Sequence, residues 1–129
     1  MNFILYIHRN ASTKGETLKK IIDQNSKGIE IQTLQTFNAF KARVKQVSAY
    51  NNEIFILLAD SKKRLNKLTT LIDLLENKRI VLILPDESKE TISVALQFIP
   101  RYFTFINDTY DDLCAVISKM ANKKKGNTT

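Results

Sequence analysis

The sequence is poor in the residues from which most active sites are built. Among 129 residues there is one cysteine, Cys114, and one histidine, His8. That excludes a disulfide framework, a cysteine-cluster metal site and a histidine-rich metal site. No Ser-His-Asp or Cys-His nucleophile pair can be assembled around His8, and Cys114 lies beside the apolar stripe of the last helical segment, where a half-buried packing role is expected. Tryptophan is absent, and 3 glycines and 2 prolines exclude collagen-like, linker-rich and disordered compositions. The longest apolar runs are five to six residues, against the ~20 of a membrane-spanning helix. Met1–Asn10 has too short an apolar stretch for a cleavable leader and reads as a strand. A reduced, cytoplasmic protein without a membrane partner, a metal or a cofactor is expected, and catalysis is not.

What is present is basic. Twenty Lys and Arg stand against thirteen Asp and Glu, for a net charge of +7. Residues 1–79 hold 14 basic and 7 acidic residues, whereas residues 80–122 hold 3 and 6. The stretch 40–67 is the richest, with Lys41, Arg43, Lys45, Lys62, Lys63, Arg64 and Lys67. A positive face can attract nucleic acid or an acidic protein. Only Phe40, Tyr50 and Phe55 interleave it, too few for a base-stacking platform, so solvated helix faces are expected and nucleic acid is not.

Five apolar runs recur, each followed by a segment of helical periodicity: Phe3–Ile7, Ile29–Leu34, Ile54–Leu58, Ile80–Leu84 and Tyr102–Ile106. The first, third and fourth are almost continuous, as central parallel strands covered on both faces are, while IEIQTL alternates like an edge strand. Between them, residues 13–24, 37–49, 62–76, 88–99 and 109–122 carry apolar residues three and four apart. In the fourth of these the stripe is Ile92, Ala95, Leu96 and Ile99. Thr13 and Glu16 fit a capping box, and Ser61, Ser88 and Asp108 are expected N-caps. Asp86, Glu87 and Glu90, and Asp108, Asp111 and Asp112, suit the positive ends of the last two helices. Five β-α units with right-handed crossovers make an α/β three-layer sandwich, a flavodoxin-like five-stranded parallel sheet in the order 2-1-3-4-5 with five helices. One domain over residues 1–122 and a disordered basic tail over 123–129 are expected.

Ligands of such a sheet bind beyond the carboxyl ends of its strands. Those ends read His8-Arg9-Asn10, Ala59-Asp60-Ser61, Pro85-Asp86-Glu87 and Asn107-Asp108. In length and in its five β-α units, residues 2–121 resemble the receiver domain of two-component response regulators. The resemblance implies an acidic pair after strand one, an acceptor aspartate after strand three, a Thr or Ser after strand four and a Lys after strand five. Here His8 and Arg9 replace the acidic pair, which cannot hold a magnesium ion by carboxylate oxygens. The acceptor position falls on Leu58, or on Asp60 with a shift of two. Leu84-Pro85 and Ile106-Asn107 stand at the remaining positions. The pattern resembles a pseudo-receiver, which implies a phosphorylation-independent signalling module acting through protein contacts. If Asp60 points into the old pocket, His8 or Arg9 is expected to pair with it in place of a metal.

Two alternatives remain at this level. Residues 11–17, ASTKGET, have the composition of a phosphate-wrapping loop, with Ser12, Thr13, Gly15 and Thr17 as donors and Lys14 as counter-charge. That would suit a flavodoxin-like phosphate or flavin binder. The other is a nucleic-acid module using the basic face. For a protein partner, or a homodimer, the fourth helix, fifth strand and fifth helix offer a net negative face, with Arg101, Tyr102, Tyr110 and Asp111 as candidate contacts.

Overall fold

A computed structural model describes residues 2–26, 28–46 and 52–126. Its strands are β1 (Asn2–Tyr6), β2 (Glu30–Leu34), β3 (Glu53–Leu58), β4 (Arg79–Leu84) and β5 (Tyr102–Phe105). All pair in parallel in the order β2-β1-β3-β4-β5, as expected. The helices are α1 (Ser12–Gln24), α2 (Phe37–Val44), α3 (Lys62–Leu68), α4 (Ile72–Leu75), α5 (Lys89–Leu96) and α6 (Asp111–Gly126). A 3-10 turn at Thr69–Leu71 joins α3 to α4, so these two are one interrupted segment, the third of five among the described residues.

The alternation of side chains along each strand builds two cores. Phe3, Leu5 and Ile7 of the first strand run join Ile54, Ile56, Leu58, Val81 and Ile83 under α1 and α6, which contribute Leu18, Ile22, Leu113 and Ile117. Ile4, Tyr6, Phe55, Leu57, Ile80, Leu82 and Leu84 face the other way, under Phe40 of α2, Leu65 and Leu68 of α3, Leu75 of α4 and Ala95 of α5. On that face Tyr6 stacks on Phe40 with ring centroids 4.8 Å apart. β2, at the edge, keeps no fully buried residue.

Several local expectations are corrected. Ser61 and Ser88 do cap α3 and α5, accepting from the N–H groups of Arg64 and Thr91. Thr13 does not cap α1: the helix already starts at Ser12, and Ala11 occupies the cap position without a side-chain acceptor. Asp108 does not cap α6 either; its carboxylate takes the Thr104 hydroxyl and the Thr109 N–H instead. The expected helix 62–76 is broken because Thr69 and Thr70 donate their hydroxyls back to the carbonyls of Asn66 and Lys67. Such local bonds compete with the α ladder and tighten the turn. α2 ends at Val44, and Val47 lies outside the described residues. α6 runs through Gly126, which places Lys123–Lys125 on helical backbone rather than in a tail; residues 127–129 are outside the description.

The largest correction concerns α5. Ala95 of the apolar set read from the sequence is buried and Ile92 partly so, but the other buried positions are Thr91 in the helix and Phe98 just beyond it. Leu96 and Ile99 therefore face solvent, 56% and 84% exposed.

One glycine is required by packing. Gly15 is buried in the first turns of α1 over the end of the first strand run, and a Cβ there would overlap Ile7 Cγ2. Gly15→Ala removes a helix-interior glycine, a gain of about 1 kcal/mol, but the overlap costs about 1–3 kcal/mol. The expected net effect is a lower urea midpoint. Combined with Ile7→Ala, which deletes the overlapping methyl, it should cost less than the two single changes summed, as a double-mutant cycle measures.

Candidate functional site

At the carboxyl end of the sheet lies a cleft of about 370 Å3, lined by Asn10, Ala11, Thr13, Lys14, Asp60, Pro85, Ile106 and Asn107. It brings together five residues singled out from the sequence: Thr13 and Lys14 from the first turn of α1, Asp60 after β3, Pro85 after β4 and Asn107 after β5. Leu58 is fully buried in the sheet, so Asp60, not Leu58, supplies the carboxylate at this end of β3.

The partner of Asp60 differs from the expected one. Its carboxylate pairs with Arg64 Nε, one turn into α3, and both side chains are about four-fifths buried, at 18% and 21% exposure. Among the described residues neither His8 nor Arg9 bonds to it. His8 Nδ1 instead accepts the Asn10 N–H at 3.1 Å, and Arg9 is exposed in the 3-10 turn Arg9–Ala11. The reason is reach. Capping by Ser61 starts α3 directly after Asp60, and the i,i+4 spacing then stacks Arg64 over it. Burial lowers the His8 pKa, and the nearby Arg64 guanidinium lowers it further, with Asp60 opposing. The Tyr6 hydroxyl, buried beneath, has no hydrogen-bond partner. Burial raises its pKa, while Arg64 lies near enough to oppose this without closing a well-formed bond.

On the opposite wall Lys14 Nζ donates to Asn107 Oδ1 at 2.6 Å, joining the start of α1 to the end of β5. The lysine thus has a neutral partner, and no acidic residue occupies the first turn of α1. The rest of the expected anion loop is used otherwise. Ser12 begins α1, Gly15 packs on Ile7, and the exposed Thr17 bonds back to the Thr13 carbonyl. None of the described residues lining the cleft is aromatic, and among the described residues no three His, Cys, Asp or Glu side chains converge on a point.

Asp86, beside Pro85, titrates at about 2. The Ser88 hydroxyl and N–H hold its charged form, helped by Thr91. This is the turn that starts α5 rather than a metal ligand set.

The proposed partner surface on β5 does not assemble. Tyr110 is buried at a positive φ of 70°, and its hydroxyl donates to the Ile106 carbonyl at 2.9 Å. Tyr102 is partly buried, and Arg101 and Asp111 lie beyond opposite ends of the strand. Much of the basic stretch is also internally engaged. Arg43 pairs with Glu53, Lys67 lies over the Phe37 ring and Lys62 stands 3.7 Å from Glu90. Phe40 and Phe55 are core residues, and Tyr50 is outside the described residues. Cys114 is half-buried as expected, with its Sγ taking an Asn25 amide N–H. Among the described residues no helix is long and apolar enough to cross a membrane.

Sequence reasoning named Arg64 only as part of the basic stretch and did not pair it with Asp60. The pair could have been found, since an Asp four residues before an Arg at a helix start is a standard pairing signal. Comparison with models of known protein families gives no match, and neither does comparison with curated proteins.

Two titrations check the geometry. In Arg64→Met the His8 pKa, followed by NMR, is expected to rise, because one of the cations opposing its protonation is gone. In Ser88→Ala the Asp86 midpoint is expected to rise from about 2 toward 3.8. Since the folded value is the lower one, the contribution of Asp86 to stability is complete above the unfolded pKa and fades as pH falls toward 2. Stability of the wild type should therefore fall more steeply across that window than that of the Ser88→Ala protein, in which Asp86 has a smaller contribution to lose.

Proposed function

We propose that this chain is a receiver-like signalling module that works through protein contacts and does not accept a phosphoryl group. The observation that carries the reading is the Asp60–Arg64 pair. A phosphoacceptor must present a carboxylate oxygen to its donor, with a metal ion nearby to take up the developing charge. Here the carboxylate at the end of β3 has its counter-charge built into the next helical turn. Charge-assisted hydrogen bonds of this kind are among the stronger ones a protein makes. His8 and Arg9, at the end of the first strand run, add imidazole and guanidinium where the resembling family has carboxylates. Lys14, tied to Asn107, supplies a cation from α1 at the place where that family has its lysine after β5. The Asp60 carboxylate is thereby engaged from within the chain, and function passes to the surfaces.

A second reading, an anion site in the same cleft, is favoured by one observation. Lys14 has only a neutral partner, and it sits beside helix N–H groups without a side-chain cap, the environment anions prefer.

Both readings meet in one experiment. Incubated with magnesium and radiolabelled acetyl phosphate, the protein is expected to take up no more label than Asp60→Asn. Label present in the wild type and lost in Asp60→Asn would overturn the first reading. Titration with inorganic phosphate is expected to leave the amide signals of Thr13 and Lys14 in place. Saturable shifts of both, abolished by Lys14→Met, would put the anion site first.

A further inference from the structure

The displaced stripe of α5 leaves an apolar surface that the fold does not use. Among the described residues the exposed large hydrophobics are Leu74, Leu96 and Ile99. Ile99 lines a groove of about 640 Å3 at the amino end of the sheet, with Ile72, Phe98 and Pro100 also in its walls; Leu74 and Leu96 adjoin lining residues in the chain but do not line it. The groove lies at the opposite end from the cleft. Ile99 is held there at a φ of 49°, a region that β-branched residues avoid. An isoleucine 84% exposed in that conformation does nothing for the isolated fold.

We propose that this groove is a self-association surface, docking the same groove of a second copy about a two-fold axis. The proposal rests on the reading of the chain as a module that works through protein contacts, and it names the partner. Charge selects that partner. The chain carries +7 overall, so two copies repel through most of their surfaces. The groove is an exception. Its lining holds two charges of each sign: Asp73, Glu76 and Lys78 on the segment before β4, with Lys78 Nζ over the Phe55 ring, and Arg101 on the segment before β5. Asp73, Glu76 and Arg101 form no ion pair among the described residues. A two-fold axis sets Asp73 and Glu76 of each copy against Arg101 of the other, which is what an isologous interface requires. A nucleic acid or an acidic peptide would find no net positive charge here. The eleven lining residues are fewer than the ~20–30 per side of a standard interface, so the dimer should be weak, with a Kd of roughly micromolar order.

The test is sedimentation equilibrium of the full chain from about 1 to about 500 µM, a range that brackets a weak dimer. A concentration-dependent monomer–dimer equilibrium is expected. Ile99→Asn, in which the new residue tolerates positive φ, should weaken it at least about tenfold while leaving the fold intact by NMR. Leu96→Glu, on the exposed face of α5, should do the same. Glu76→Lys and Arg101→Glu should each weaken association by about tenfold, and together restore it to within about threefold of wild type. A monomer at every concentration, a dimer indifferent to both apolar variants, or a charge pair that fails to restore association would each overturn the proposal. None of these readouts involves Asp60 or a phosphodonor. A monomer result therefore leaves the reading of the cleft standing, and labelling of Asp60 would leave the dimer standing.

Discussion

Everything in this molecule follows from three strands that are apolar on both faces. β1, β3 and β4 bury nearly every side chain they carry, and a strand buried on both sides needs a cover on each. Two layers of helix supply it, α1 with α6 on one face and α2 through α5 on the other. Parallel pairing then returns the chain across the sheet after each strand, so all five strands end at the same edge. The chemistry collected there comes from four sequence-distant loops, after β1, β3, β4 and β5. Its composition is the consequence of a packing problem solved elsewhere.

At that edge the polar groups satisfy one another. Asp60 takes Arg64, Lys14 takes Asn107, Asp86 takes the Ser88 cap, and Asp108 takes Thr104 and Thr109. Asp60, Asp86 and Asp108 are thus each engaged by donors within four residues along the chain. Engagement of this kind fixes a carboxylate in place and sets a donor against its charge. The orphaned Tyr6 hydroxyl is the exception. It sits beneath the pair as the only described group on the first strand whose polar atom has found no partner.

How much of this was legible in the sequence depends on the range of the interaction. Strand identity and order came through because the runs Phe3–Ile7, Ile54–Leu58 and Ile80–Leu84 are continuous and Ile29–Leu34 alternates, and these patterns report burial directly. The caps Ser61 and Ser88 were legible for the same local reason. α5 was misread because two stripes compete in it. Ile92, Leu96 and Ile99 fit helical spacing as well as Thr91, Ala95 and Phe98 do, and hydropathy prefers the first set. Tertiary packing chose the second, where Thr91 fills a small space and Phe98 closes the core behind α5. The Asp60–Arg64 pair lay in plain view at four-residue spacing, yet the more distant His8 and Arg9 were preferred because a resemblance pointed to the strand end. Lys14 and Asn107, 93 residues apart, carry no local signal that they meet.

The two ends of the sheet have consequently been given opposite characters. At the carboxyl end Asp60, Asp86 and Asp108 are engaged by internal donors, so a group that binds one of these oxygens must displace a donor and leave it unsatisfied. At the amino end Asp73, Glu76 and Arg101 form no ion pair among the described residues, and Ile99 beside them is left in water. An incoming surface displaces only solvent. Burial of exposed apolar area is favourable at about 25 cal/mol per Å2, and it needs no rearrangement of the fold. In a parallel sheet the carboxyl end is the customary place to look for function. The proposed self-association places contact at the opposite end, where exposed apolar side chains lie beside charges that form no ion pair among the described residues.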